Sequence, residues 1–404
     1  MLFSLAWKNI WRNKKRSLII VLAITFGLWG GLFSDAVMMG SVESMVETAI
    51  SRNLSHIQIH KKNYDRDKDI RNFIPGGTAI ADSIRRIPGV AGVSGRTLVY
   101  GMAASPASSF GVRINGVNRE NAEQVTDIHQ QITEGDYFAS SQRNQIVIGR
   151  KLAERLNLNL NSKVVLSFQD LEGNITYIAC RVTGIFKTNS TQFDEANVFV
   201  QQPDLFRILG SDPIVHEIAV RLTNSEEITG VAAIIQNRYP DLAVERWDQL
   251  APELAYLNDS TLIYTYFFVG IILFALLFGI MNTMLMSVVD RVRELGMLMA
   301  IGMKKGRVFM MILLETIMLS LTGGISGTVV SVATIAYFKH SGLDLSAVAT
   351  SLESWGSSTM LYPFLPAAMY IILTVMILFI ANVAALMPAW KAVHLVPSEA
   401  IRNY

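Results

Sequence analysis

In four places the chain stays apolar for the roughly 20 residues that a helix needs to cross a bilayer core. These are about Ser17–Met39, Leu262–Val289, Val308–Phe338 and Leu361–Met387. Between the first and the second the pattern becomes a mixture of helical and strand periods. Helical runs over Thr78–Ile87 and Glu226–Tyr239 each end at a proline and are followed by a β-like stretch, Val93–Met102 after Pro88-Gly89-Val90 and Leu242–Arg246 after Pro240-Asp241. Two such helix–turn–strand units, one early and one late, predict a split α/β subdomain completed by both ends of the insert. A strand-rich piece lies between them: Gln145–Ile148 and Lys163–Phe168 flank a helix at Lys151–Leu156, and Ile175–Phe186 and Asn197–Val200 continue the strand pattern.

The flanking charges give the apolar stretches a direction. Lys8, Arg12, Lys14, Lys15 and Arg16 precede the first, Arg291, Arg293, Lys304, Lys305 and Arg307 lie between the second and third, and Lys391 and Arg402 follow the fourth. Lys339 is the only Lys or Arg between the third and fourth. Positive charge collects on the cytoplasmic side, so both termini are expected there and the large insert outside. A cleaved signal peptide would also begin with a basic segment, but the first apolar stretch is longer than such a peptide needs and no small-x-small site closes it. In the leader, Phe3, Trp7, Ile10 and Trp11 share one helical face while Lys8, Asn9, Arg12 and Asn13 face away. That is the pattern of an amphipathic helix lying in the interface, or of a plain basic anchor.

The expected fold class is therefore an α-helical membrane protein with four transmembrane helices and a large extracytoplasmic α+β domain inserted between helices 1 and 2. The expected domains are a cytoplasmic amphipathic helix at 1–16, a transmembrane helix at 17–41, the extracytoplasmic domain at 42–259, and a membrane domain at 260–404. Composition agrees: 51% of residues are hydrophobic and 17% charged, and the apolar excess sits at the two ends of the chain. A net charge of +2 gives no basic field for nucleic acid. The single cysteine, Cys180, leaves the inserted domain to hold itself together without a disulfide.

No catalytic constellation is visible. His56, His60, His129 and His216 lack metal-ligand spacing, and Gly149-Arg150-Lys151 is not a phosphate-cradling loop. No cofactor or metal is expected on this chain, and any ATP and Mg would be bound by another polypeptide.

Several runs resemble those of a known family. Ile132-Thr133-Glu134-Gly135-Asp136-Tyr137-Phe138 with Ile146-Val147-Ile148-Gly149-Arg150-Lys151-Leu152-Ala153, Arg181-Val182-Thr183-Gly184-Ile185-Phe186 with Phe193-Asp194, and Arg246-Trp247-Asp248-Gln249-Leu250 stand in the insert. Asp290-Arg291-Val292-Arg293-Glu294-Leu295-Gly296-Met297-Leu298-Met299-Ala300-Ile301-Gly302 joins the second and third apolar stretches, and Pro388-Ala389-Trp390-Lys391-Ala392 with Pro397-Ser398-Glu399-Ala400-Ile401-Arg402 closes the chain. With the order of one span, a large insert and three spans, these resemble the FtsX/MacB-type permeases of ABC transporters. The insert looks most like the lipoprotein-releasing LolC/LolE group.

The resemblance implies that the 290–302 loop is a coupling helix through which a cytoplasmic ATPase dimer acts, with Arg291, Arg293, Glu294, Gly296, Ala300 and Gly302 as its residues. Met299 departs from the basic residue usual in the family, and Asp290 from its Glu. Within the spans, Glu315 implies a structural partner or a carboxylate snorkelling to the nearby interface. Gly323 and Gly327 permit close helix approach, and Asn282 and Asn382 are expected to hydrogen-bond between helices. The implied function is that of a permease subunit in the inner membrane, paired with a second permease chain. It would use ATP hydrolysed elsewhere to release lipoproteins from membrane lipid to a periplasmic carrier. Efflux of the MacB type and control of a cell-wall hydrolase of the FtsX type are the alternatives.

Overall fold

The computed structural model describes the chain apart from residues 1, 13, 65–67, 139–142, 211–212, 349–359 and 395–404. It divides into two compact units, one built from Met1–Val42, Asp259–Asp344 and Met360–Tyr404, the other from Glu43–Asn258 and Leu345–Thr359.

Among the described residues, four helices of the first unit are long and apolar enough to cross a membrane. They are α2 (Lys14–Ala49), α10 (Pro252–Asp290), α12 (Lys305–Ser341) and α13 (Ala367–Val393), with the short α1 (Leu2–Arg12) before them and α11 (Val292–Ala300) between α10 and α12. Every fourth residue of α2 from Ile20 through Ile24, Leu28 and Leu32 to Ala36 is buried. This stripe meets α12, where an added Cβ on Gly323 would stand 2.9 Å from the Ile24 Cβ and one on Gly327 would stand 3.0 Å from the Leu28 Cβ. Only glycine lets the backbones come so close. The contact is fastened by Thr25, whose hydroxyl donates to the Gly323 carbonyl at 3.2 Å, and by Trp29, whose Nε1 donates to Thr334 Oγ1 at 3.2 Å. On its other sides α12 packs against α13, with Thr328 and Thr374 hydroxyls 3.0 Å apart.

The fourth stretch begins as a helix at Ala367, six residues later than its hydropathy predicts. Met360–Leu361 instead pairs antiparallel with Leu343–Asp344. The Phe364 N–H donates to the Ala36 carbonyl at 3.1 Å, and Pro363 and Pro366 keep residues 362–366 out of helix. The first helix shows the opposite deviation. It runs past the apolar stretch to Ala49 and closes in a π-helical turn at Ile50–Leu54, because no Pro or Gly after Gly40 stops it.

The second unit contains ten strands in one sheet, among the described residues. They are β1 (Ile57–Lys61), β2 (Val90–Ala104), β3 (Ser109–Val117), β4 (Ile132–Gly135), β5 (Gln145–Gly149), β6 (Lys163–Gln169), β7 (Ile175–Phe186), β8 (Asn197–Gln201), β9 (Glu217–Leu222) and β10 (Leu242–Arg246). The helices are α3 (Gly77–Ile84), α4 (Arg119–Val125), α5 (Arg150–Leu156), α6 (Thr191–Ala196), α7 (Gln202–Leu209), α8 (Ile228–Arg238) and α9 (Trp247–Leu250).

The strands β10-β1-β9-β2 form an antiparallel layer. Ile57, Ile59, Val93, Ile218 and Val220 share its core with Ile84 of α3 and Val231 and Ile235 of α8. Both helix–turn–strand units legible in the sequence therefore meet in one sheet. Beyond Arg96, β2 changes partners and joins a closed ring of pairings, β2-β3-β8-β5-β7-β6 and back to β2. Closure leaves this small barrel without a free edge along the ring, and Ile114, Ile146, Val182 and Val198 fill its core.

Gly149 ends β5 where the backbone of α6 crosses it, and an added Cβ would lie 2.0 Å from the Asp194 carbonyl oxygen. Asp194 is itself buried and accepts from the Thr188 N–H at 2.9 Å and from the Thr188 hydroxyl at 2.5 Å. Burial pushes its carboxyl up to about 6, and the Thr188 hydrogen bonds only partly oppose the rise. Glu217 behaves in the opposite way. Burial disfavours its charge, but Arg96 and His60 outweigh that and hold it down at about 2.

Stability owed to Asp194 is therefore present below its ordinary value of 3.8 and lost as pH rises through 6. Stability owed to Glu217 is present above 4.5 and lost as pH falls through 2. Between pH 4 and 7 Asp194 alone should therefore withdraw on the order of 1–3 kcal/mol of stability from the domain. Asp194→Asn should flatten the decline between pH 4 and 7 in a thermal unfolding series. An unchanged slope would show that another group causes it.

Candidate functional site

The turn from α10 into α12 contains the densest set of charged contacts in the first unit. Arg291, at the start of α11, is buried and donates through Nη1 to both oxygens of the buried Glu315 at 3.2 and 3.1 Å. Its Nε reaches Glu294 Oε2 at 3.3 Å, and the same oxygen takes a bond from Arg12 Nη2 of α1. Charges of alternating sign thus run Arg12, Glu294, Arg291, Glu315 and join α1, α11 and α12. Glu315 lies about 15 Å along α12 from Lys305, taking the rise of a helix as 1.5 Å per residue. A carboxylate at that depth is tolerated because a guanidinium answers it.

The expected coupling residues divide by exposure. Arg291, Leu295 and Gly296 face inward, while Arg293, Met297, Ala300 and Ile301 form the open face, with Ile301 at 85% exposure. Glu294 is half-buried between its two arginines. Gly302 takes φ +101°, a conformation that an L side chain resists, and turns the chain toward α12. Met299 packs with Leu298 against the helical core.

Other expectations need correction. Asn282 is exposed, and Asn382 donates to the Leu378 carbonyl of its own helix at 2.7 Å, so among the described residues neither makes the expected bond between helices. On α1, Phe3, Trp7 and Trp11 are exposed together, but Ile10 packs against the helical core and Asn9 donates to Met311 Sδ at 3.9 Å. The face toward α12 is thus centred on the buried Ala6. The closing run 397–402 lies outside the described residues.

The sequence reading passed over Asp35, whose buried carboxylate accepts from the Thr265 hydroxyl of α10. It also passed over Gly27 and Gly31, which bring α2 against Leu276 and Ile272. A lone acid in an apolar span and a second small-x-x-x-small pair were the available signs.

In the second unit His56 and His216 are satisfied core residues. His216 Nδ1 accepts from the Leu98 N–H at 3.1 Å while its Nε2 faces the Ile70 carbonyl at 2.8 Å. His56 Nδ1 accepts from the Leu222 N–H at 3.1 Å. Among the described residues no group of His, Cys, Asp or Glu could hold a metal ion.

Two protein families match the chain, the MacB-like periplasmic core domain over residues 17–238 and the FtsX-like permease C-terminal domain over residues 266–397. The macrolide export ATP-binding/permease protein MacB of Escherichia coli is 23% identical over 351 residues, which are 83% of this chain and 52% of that protein. The chain thus spans about half the length of such curated relatives. The uncharacterized ABC transporter permease YknZ of Bacillus subtilis (strain 168) is 21% identical over 98% of both chains. Among solved structures, the periplasmic region of MacB from Actinobacillus actinomycetemcomitans aligns with 52% of this chain and 97% of that one, at 12% identity and a TM-score of 0.37.

Proposed function

The chain belongs to the FtsX/MacB superfamily of ABC-transporter permeases, and from that premise we propose that it is the membrane half of a machine that turns cytoplasmic ATP hydrolysis into work outside the inner membrane. ABC permeases work with a cytoplasmic ATPase. The observation that carries our reading is the open face Arg293, Met297, Ala300 and Ile301, mounted on a helix that the Arg291–Glu315 pair ties into α12. An ATPase pressing on this face would move α11, and the buried ion pair would pass the displacement into the most deeply packed span. In this reading both termini are cytoplasmic, Glu43–Asn258 lies outside, and two permease chains assemble with two ATPase chains.

The work we assign is release of lipoproteins from the outer leaflet of that membrane to a soluble carrier. Spans with few ionisable side chains need no hydrophilic pore for this, and an external unit of this size suits cargo handled outside. Efflux is the second reading, favoured by the match to a macrolide export protein.

Depleting the protein in its native cell and separating the membranes tests the choice. Lipoproteins should accumulate in the inner membrane. Unchanged lipoprotein distribution together with greater sensitivity to macrolides would overturn release in favour of efflux.

A further inference from the structure

A cavity of about 690 Å³ opens within the Glu43–Asn258 unit, between the last turns of α2, the π-helical turn that ends it, and residues 250–254. Its wall carries three cations, Arg52, Lys68 and Arg113, and one carboxylate, Glu253. Arg52 is only 7% exposed, yet its Nε and Nη1 have no hydrogen-bond partner among the described residues. The carboxyls that face it, Asp127 and Asp194, make no hydrogen bond to it, and Asp194 is already occupied by Thr188. Arg113 is aimed by neutral groups, donating from Nε to Asn197 Oδ1 at 2.9 Å and from Nη2 to Asn53 Oδ1. Asn53 is fixed in turn, because its carbonyl takes bonds from Arg96 at 2.8 Å and Gln58 at 3.0 Å. The Lys68 ammonium sits 5.7 Å from the centre of the Tyr100 ring, with no carboxylate partner among the described residues.

A buried guanidinium with unmet donors is costly, and asparagine acceptors orient Arg113 without cancelling its charge. Phosphate oxygens suit such donors, since N–H groups of a guanidinium make strong charge-assisted hydrogen bonds to them. We propose that this cavity binds a phosphate group, held by Arg52 and Arg113 with Lys68 beside them. The volume is far more than one phosphate fills, and Met45, Leu54, Phe193 and Leu254 add apolar wall, so the ligand carries a larger, partly apolar body. Two stretches of the lining, within residues 45–54 and 250–254, lie at the end of the first span's helix and at the start of the second's. A phospholipid headgroup is therefore the source we favour, and a free phosphorylated solute is the other. The inference does not depend on lipoproteins being the cargo.

The full chain, purified in detergent, separates these cases. Protein taken from vesicles containing phosphatidylglycerol, or equal diacylglycerol in its place, is weighed by native mass spectrometry with and without millimolar inorganic phosphate. The expected result is retained phosphatidylglycerol and no retained diacylglycerol, with at least tenfold less retained by Arg52→Gln and by Arg113→Gln. Arg181→Gln, an exposed arginine elsewhere, should retain it like the parent. Displacement by inorganic phosphate would mark the phosphate alone as sufficient, and resistance to it would mark the lipid. Equal retention of both lipids by the parent, or full retention by the folded Arg113→Gln variant, overturns the proposal even if Arg52→Gln does not fold.

Discussion

Arg291→Met will damage this protein more than Arg291→Met and Glu315→Leu made together. The single change strands the Glu315 carboxylate at membrane depth, where both oxygens now meet Arg291 Nη1 at 3.1–3.2 Å. Removing one partner of a buried ion pair costs about 3–5 kcal/mol, whereas replacing both by apolar groups of similar volume is often nearly neutral. Melting of the detergent-purified chain should fall steeply in the single variant and recover in the double one. ATPase stimulation in the assembled transporter should fall at least tenfold in the single variant and recover only in part, because Glu294 would still lack one of its two arginines. Equal melting of single and double variants would mean that the pair is not what holds α11 to α12.

The second large effect is expected at Gly323. Gly323→Leu drives a side chain into Ile24 and toward the Val21 carbonyl, 2.9 and 3.1 Å from the first added carbon. Neither helix can withdraw without breaking the Thr25 and Trp29 hydrogen bonds. Overpacking of this kind costs about 1–3 kcal/mol, and here it acts on the most deeply packed span, so the chain should melt well below the parent. Gly279→Leu is the contrast, because nothing lies within 4 Å of an added carbon there. If both variants melt alike, a close contact between α2 and α12 at Gly323 is not what the added side chain disturbs, since leucine by itself favours a helix over glycine.

How much of this could be read in advance depended on how local each cause is. Apolar length is local, so the spans were legible, and the strand runs at Lys163–Phe168 and Ile175–Phe186 declared themselves by period. The start of α13 was misplaced because hydropathy cannot see that Phe364 bonds to Ala36, although Pro363 and Pro366 were there to be weighed. The Arg291–Glu315 pair joins residues 24 apart, and a sequence shows only that Glu315 needs some partner. The inward turn of Gly296 and the outward turn of Ile301 follow from how α11 lies on its neighbours, which no motif states. Barrel closure and the Arg52 cavity arise from pairings and approaches between distant strands and helices, so neither left a trace in the linear pattern.

The antiparallel layer β10-β1-β9-β2 also sets a schedule for the making of the Glu43–Asn258 unit. Strand β1 is among the first parts of that domain to be synthesised, yet both its neighbours, β9 and β10, are among the last, with Ile57 opposite Arg246. At 5–20 residues per second, the wait between them is roughly 10–40 s. During that time β1 has no ladder partner, and burial of His60 beside Glu217 cannot begin. A chain arrested anywhere before β9 would therefore present an unpaired, apolar strand to whatever quality-control proteases and chaperones patrol that compartment. Birth of the domain is all but simultaneous with emergence of the segment that leads into the second span.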